Sequence, residues 1–251
     1  SKAVKRASGI VTKLTKGVGF LLQKNGVDVI EGMATITSPT TVSVDNRSLE
    51  AKNIIIATGS KSPKIAGDEN VIVDIKNLFI DREIPQNIVI AGGNSVAVEL
   101  AQFFNMIGRK VTLVSEGDRI MPKADEYVAK YMQNLIKKER VNMIFDTTIE
   151  SIEGKYTDGQ LTIGETTVPC DMLINANNRK GIVPEMKVTV NQKDSFIQVD
   201  KDCRTSVPTI WAIGDVNGES YYAHIGSAQG LHVVNTIKGI ESELDISRYP
   251  L

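Results

Sequence analysis

Two short stretches hold residue types suited to gripping a phosphate or a sugar. In the first, Ala91-Gly92-Gly93-Asn94-Ser95-Val96-Ala97-Val98-Glu99 follows an apolar run and opens a helical pattern. A strand-to-helix turn of a dinucleotide fold needs G-x-G-x-x-G. The first glycine makes the turn, the second admits the pyrophosphate and the third seats the helix. Gly92 supplies the first and Ala97 is tolerable at the third, but Asn94 stands at the second. Asparagine tolerates positive φ, yet its side chain fills the place of a phosphate. Glu116, 24 residues after Gly92, is an acidic candidate for the ribose hydroxyls. The stretch reads equally well as a βαβ unit kept for structure alone.

The second stretch is a pair. Ile56-Ala57-Thr58-Gly59-Ser60 and Ile210-Trp211-Ala212-Ile213-Gly214-Asp215 are both apolar strands ending in a tight turn of small residues. An aspartate just beyond such a strand can accept a hydrogen bond from a sugar or polyol hydroxyl. A helix starting near His224 would aim its positive end into the same crevice. Alone, Asp215 reads as a turn cap; together, the two turns favour a cofactor.

These stretches need elements to position them. Apolar residues from Ala3 to Leu22 recur at three and four, which predicts a helix over 2–24 ended by Asn25-Gly26. Short strands are predicted at 27–31, 34–36, 41–44 and 53–57. After Pro85 the pattern gives strand 87–91, helix 96–108 and strand 110–114, a βαβ unit in under thirty residues. A helix over 126–140, a strand at 141–145, a small meander within 147–168 and a strand at 172–176 follow. The tail repeats the theme with strands at 197–199 and 210–213 and a helix over 224–238. This alternation is the α/β class.

The composition excludes several functions. Of 251 residues 41% are hydrophobic, so the chain is neither disordered nor fibrous. Lys plus Arg is 29 against 30 Asp plus Glu, leaving no basic excess for nucleic acid or an anionic membrane. No apolar run approaches the roughly 18 residues that span a bilayer. The start of the sequence reads as an amphipathic pattern and not a signal peptide. Two cysteines make no disulfide framework, and a cytoplasmic address is expected. Cys170 and Cys203 lie in strand-like runs and are expected to be buried thiols.

Several motifs together resemble the flavin- and NAD-dependent (class I pyridine nucleotide) disulfide oxidoreductases, and within them the dihydrolipoamide dehydrogenase branch. Ser1-Lys2-Ala3 matches the end of the family's redox motif C-x4-C-x-P-[ST]-K-A, and Val27-Asp28-Val29-Ile30-Glu31-Gly32 resembles the lipoamide branch. Ala57-Thr58-Gly59 is similar to its ATG turn, and Arg204 to Asp215 is close to its second flavin motif. Tyr221-Tyr222-Ala223-His224 sits where that branch has M-L-A-H, and Ala228-Gln229-Gly230 follows in register. The resemblance covers essentially the whole sequence.

The resemblance implies an α/β fold in which a Rossmann-like three-layer nicotinamide domain is inserted in a partial FAD-binding domain. The implied boundaries are 1–83 and 182–245 for flavin, 84–181 for NAD, and 246–251 as the start of an interface domain. For FAD it implies Lys2 beside the reactive ring, Ala34 at the adenine end, and Thr58, Gly59 and Ser60 along the centre. Asp215 would hold the ribitol, with Ala223 and His224 offering N–H groups to the ring. For NAD it implies Gly92, Gly93, Val96, Ala97 and Glu99. Three departures predict a weakened or altered NAD site. Asn94 replaces a glycine, Asn178 stands at the glycine of the family's G-R-x-P turn, and alignment of Asp118-Arg119 puts Ser115 at the ribose-binding acidic position. Slippage by one residue would return that role to Glu116.

The implied parent reaction passes electrons from a dihydrolipoyl dithiol through a redox disulfide and FAD to NAD. A lipoyl-bearing acyltransferase domain is the implied partner, and the complete enzyme an implied homodimer. The redox cysteine pair is expected before Ser1 and the His-Glu pair after Leu251, so no catalytic residue and no metal site are expected in 1–251. Rival readings are a glutathione- or mercuric-type reductase and a non-catalytic nucleotide-binding scaffold.

Overall fold

The computed structural model describes residues 2–79, 83–245, 248 and 249. Ser1 of the motif, and 246, 247, 250 and 251 of the expected interface segment, lie outside the described residues. The chain opens with α1 (Lys2–Lys24), then β1 (Ala34–Ser38), β2 (Thr41–Val44), β3 (Arg47–Glu50), β4 (Ile54–Ile56) and β5 (Ser60–Lys61). Next come β6 (Ile72–Asp74), β7 (Asn87–Ala91), α2 (Ser95–Met106), β8 (Lys110–Val114), α3 (Glu126–Lys138) and β9 (Asn142–Ile144). After these lie β10 (Tyr156–Thr157), β11 (Gln160–Ile163), β12 (Thr166–Pro169), β13 (Met172–Asn175) and β14 (Lys180–Gly181). The rest is β15 (Glu185–Met186), β16 (Gln192–Lys193), β17 (Phe196–Ile197), β18 (Ile210–Ala212) and α4 (Ala223–Ile237).

The chain divides into two compact units. One holds the residues up to Gly26 with Ser62–Asn178, the other Val27–Lys61 with the chain from Arg179 onward. The first is built on a five-stranded sheet in the order β6-β13-β7-β8-β9, every pair parallel. Side chains alternate across a strand, so both faces of a covered sheet must be apolar. Ile88 and Ile90 of β7, Leu113 of β8 and Ile174 of β13 pack with Ala101 and Phe104 of α2 and Ile136 of α3. Val89 and Leu173 point the other way, onto Leu161, Ile163 and Val168 of the β10-β11-β12 meander. Helices, sheet and meander make three layers.

The second unit has a four-stranded sheet in the order β15-β1-β2-β3 and a parallel pair, β4 with β18. Ile36, Ile54, Ile56, Ile197 and Ile210 form its core. Beside it the Trp211 indole N–H donates to Asn53 Oδ1 at 3.2 Å, and the Arg204 guanidinium lies 4.6 Å from the Trp211 ring centre. Buried His232 of α4 joins two strands of chain: its Nε2 is 3.1 Å from Asp202 Oδ1 and its Nδ1 3.2 Å from Ser242 Oγ.

The main departure from the sequence reading is Val27–Glu31, which forms no strand. Val27 and Val29 are 49% and 65% exposed, so the alternation has no core to face. The strand expected over 197–199 reduces to β17, and α2 starts one residue early because Asn94 caps it. No described helix is long and apolar enough to cross a membrane.

Two outcomes are expected of the fold. Phe104 is fully buried and packs edge-on against Phe103 with ring centres 5.1 Å apart. Phe104→Ala should lower unfolding free energy by about 3–5 kcal/mol in urea melts. The hydrogen bond with His232 holds the Asp202 carboxyl below its ordinary 3.8, with Lys201 adding a smaller pull. A depressed carboxylate adds stability that is present above its unfolded value and lost as pH falls through the folded one. Asp202→Asn should therefore destabilise the protein at neutral pH and leave its stability unchanged in strong acid.

Candidate functional site

In the second unit, parallel pairing of β4 and β18 puts Ile56 beside Ala212, and the Ile213 N–H donates to Ile56 C=O at 3.0 Å. Both strands therefore end at one level, and both chains turn there through small residues. Gly59 and Gly214 have φ of 76° and 68°, the left-handed region that glycine enters without a Cβ penalty. The first turns of α4 come down on the second turn: a Cβ on Gly226 would lie 3.4 Å from the Gly214 Cα. Ala57, Gly59, Gly214, Asp215, Tyr222 and Ala223 help line a cavity of about 400 Å³. That volume is ordinary for a small-molecule site. A floor of glycine and alanine lets a flat ligand approach backbone.

One carboxylate marks the polar side of this cavity. Asp215 Oδ2 accepts a hydrogen bond from Ser60 Oγ and lies 3.5 Å from Arg179 Nη1. Arg179 Nη2 also donates to the Ser60 C=O at 2.7 Å, tying the two turns together. Below them Gln229, fully buried, accepts the Gly214 N–H at 2.7 Å and donates to Glu219 Oε2 at 2.9 Å. Burial pushes the Glu219 carboxyl above its ordinary value. Burial also raises the Tyr221 phenol, whose hydroxyl donates to the Arg179 C=O at 3.4 Å.

The first unit offers a second candidate position, where its strand order reverses. From β7 the chain proceeds outward through β8 and β9, then β13 returns to the other flank of β7. Ligands of open α/β sheets bind at such a point, outside the carboxyl ends of the strands. Gly92 follows β7, and a Cβ there would sit 2.3 Å from Ala176 C=O just past β13. Asn94 does not use the positive φ open to it. With φ −76° and ψ 175° it caps α2, accepting the Ala97 N–H at 3.1 Å and donating to Ala176 C=O at 2.8 Å.

Sequence-expected residues fall into several groups here. Thr58, Gly59, Ser60, Asp215 and Ala223 converge at the cavity end of the second unit, where Thr58 Oγ1 donates to Ile182 C=O. His224 follows Ala223 in the first turn of α4, and Ala34 is an exposed residue at the start of β1. Lys2 begins α1 in the other unit and is exposed. Ala97 is buried, whereas Val96, Glu99, Glu116 and Asn178 are exposed. Ser115 is only 2% exposed, lies under Gly93 and donates to Arg119 C=O at 3.0 Å. Its hydroxyl is thus committed to its own loop.

Sequence reasoning missed Arg179 and Gln229. For the first the available signal was the arginine of the G-R-x-P turn, where Arg179 follows Asn178. The second lies in the Ala228-Gln229-Gly230 run that carries part of the family resemblance, but no role was read for it there. Cys170 and Cys203 are buried free thiols, each pushed up to about 12 mainly by desolvation. Neither supplies a thiolate at neutral pH. No cluster fit to hold a metal ion occurs among the described residues.

Comparison with known proteins agrees with this geometry. The sequence profile of the family described as pyridine nucleotide-disulphide oxidoreductase matches residues 1–230. The chain belongs to that family. It is 34% identical to a dihydrolipoyl dehydrogenase of Acholeplasma laidlawii, over 94% of this chain and 73% of that protein. It is 31% identical to the dihydrolipoyl dehydrogenase of Chlorobaculum tepidum, over 97% of this chain and 55% of that one. Among solved structures, the HOCl-induced flavoprotein disulfide reductase RclA from Escherichia coli superposes with a TM-score of 0.84 at 25% identity. That match covers 98% of this chain and 59% of RclA. The chain thus spans just over half the length of the second and third of these. Members of the family are flavoproteins that use FAD and NAD(P).

The turn after β7 yields one prediction. A Cβ on Gly93 would meet Ser115 Oγ at 2.2 Å and Ser115 Cβ at 2.9 Å. Gly93→Ala should cost about 1–3 kcal/mol in denaturant melts. Adding Ser115→Gly should recover a measurable part of that loss.

Proposed function

We propose that the chain is the cofactor-binding segment of an enzyme that oxidises a dihydrolipoyl-type dithiol to its disulfide, two electrons passing through a redox disulfide and FAD to NAD. The observation that carries the reading is the backbone-floored cavity of the second unit with Asp215 fixed at its edge by Ser60 and Arg179. The dihydrolipoyl dehydrogenase relatives favour this over a glutathione- or mercuric-type reductase or an inert scaffold.

FAD fits this cradle on physical grounds. A flat ring needs close backbone approach, which the glycine and alanine lining allows. Ribitol hydroxyls need an acceptor, and Asp215 is a carboxylate at 21% exposure. The bound group would supply the redox chemistry. The chain's part is to hold it: Thr58, Gly59 and Ser60 along its centre, Asp215 on the ribitol, Ala223 and His224 at the first turn of α4. Arg179 positions Asp215 by clamping the Ser60 carbonyl. Ala34 completes the assignment at the adenine end.

In this reading residues 1–83 and 182–245 serve FAD, 84–181 serve the nicotinamide nucleotide and 246–251 open an interface domain, although β6, within 1–83, pairs in the sheet of the first unit. The nucleotide site comprises Gly92, Gly93, Asn94, Val96, Ala97 and Glu99, with Ser115, Glu116 and Asn178 at its edge. Neither Cys170 nor Cys203 exchanges with substrate. The reading carries with it a lipoyl-bearing acyltransferase partner, a homodimer and a cytoplasmic address.

Titration of FAD into the protein, followed by flavin fluorescence, tests the assignment. A buried charge-assisted hydrogen bond contributes about 1.5–3 kcal/mol, so Asp215→Ala should weaken FAD binding by roughly one to two decades. Equal affinity in the two proteins would return Asp215 to a turn cap and overturn the assignment.

A further inference from the structure

We infer that Asn94 is a latch across the nucleotide crevice of the first unit, one that a pyridine nucleotide must open in order to bind. The inference rests on the reading that this unit takes such a nucleotide. It goes beyond that reading in naming the residue that sets the affinity.

A dinucleotide at a strand-order reversal places its pyrophosphate against the N–H groups of the first helical turn. Here the carboxamide of Asn94 already lies against that turn. Its Oδ1 takes the Ala97 N–H at 3.1 Å, as a phosphate oxygen would, and its Nδ2 reaches the Ala176 C=O at 2.8 Å. One side chain therefore bridges the start of α2 and the end of β13, the two walls of the crevice. The walls are already close, since a Cβ on Gly92 would stand 2.3 Å from the same carbonyl.

The turn is held on its other flank as well. Gly93 C=O accepts the Met121 N–H at 2.6 Å, and beneath it Ser115 is occupied with Arg119 C=O. The Asn94 carboxamide, the Gly93 carbonyl and the Ser115 hydroxyl thus all have partners within the chain. Binding must exchange two intramolecular hydrogen bonds for contacts to the nucleotide, and the side chain must swing out first. A latch of this kind lowers apparent affinity by the fraction of time it is open.

The latch separates affinity from stability. Asn94→Gly removes the bridge and clears the crevice, but it also deletes a helix cap. It should bind NADH at least tenfold more tightly than the unaltered protein while melting at a lower temperature. Asn94→Ser keeps a capping oxygen for Ala97 and is too short to reach Ala176. It should retain the melting temperature and gain an intermediate share of the affinity.

Calorimetric titration of NADH into the 251-residue chain and both variants, each checked by thermal melting, reads these effects. Tighter binding in the order Gly, Ser, Asn supports the latch. Equal micromolar binding by all three overturns it and leaves the nucleotide reading intact. Absence of NADH binding by all three folded proteins overturns the latch together with the nucleotide reading.

Discussion

Parallel pairing is the constraint on which everything else here depends. Two neighbouring parallel strands must end on the same side, so their following turns are forced together without any side chain having to arrange it. In the second unit the pair β4 and β18 brings Gly59 and Ser60 to Gly214 and Asp215, although about 155 positions separate Ser60 from Asp215 along the chain. In the first unit β7 and β13 do the same for Gly92 and Ala176. Each unit then adds a helix whose first turn rests on one of these turns. Chemistry collects at strand ends because backbone, and not a core of side chains, is what those ends present.

The two crevices differ in how their polar groups are left. At the cavity of the second unit, Asp215 retains partial exposure and faces Arg179 at 3.5 Å, a contact loose enough to admit a competing hydroxyl. The short bond from Ser60 orients the carboxylate without closing the space over glycine. In the first unit every marked group at the turn is already matched: Asn94 on both its ends, Gly93 through its carbonyl and Ser115 through its hydroxyl. One site is organised and open; the other is organised and shut. Both rest on the same rule that buried polar groups find partners, and a ligand is only one of the partners on offer.

Much of this was legible in the sequence, for identifiable reasons. The strands at 87–91 and 172–175 are apolar at every position but Asn87 and Asn175, because both their faces are covered, and such runs are hard to misread. Gly92, Gly93 and Asp215 sit at turns whose small residues announce a tight bend. Val27–Glu31 was misread because its alternation is real, while the core that would make it a strand is absent on both sides. Asn94 stood out in the sequence as a departure from glycine, but its bond to Ala176 is a tertiary contact that no local pattern contains. Arg179 escaped for the same reason: its value lies in two contacts made across more than thirty positions of chain. Burial of Ser115 depends on which loop crosses over it, which spacing alone does not reveal.

Cys170 and Cys203 have a bearing on fidelity. In any protein of a disulfide oxidoreductase family, a stray exposed thiolate is open to mixed-disulfide formation. Both thiols of this chain are buried, one beneath the meander and the other against Trp211, with their ionisation pushed up to about 12. At neutral pH they are inert small hydrophobes that fill space without entering exchange. Both positions are thereby kept chemically silent, and the sulfur they carry serves packing alone.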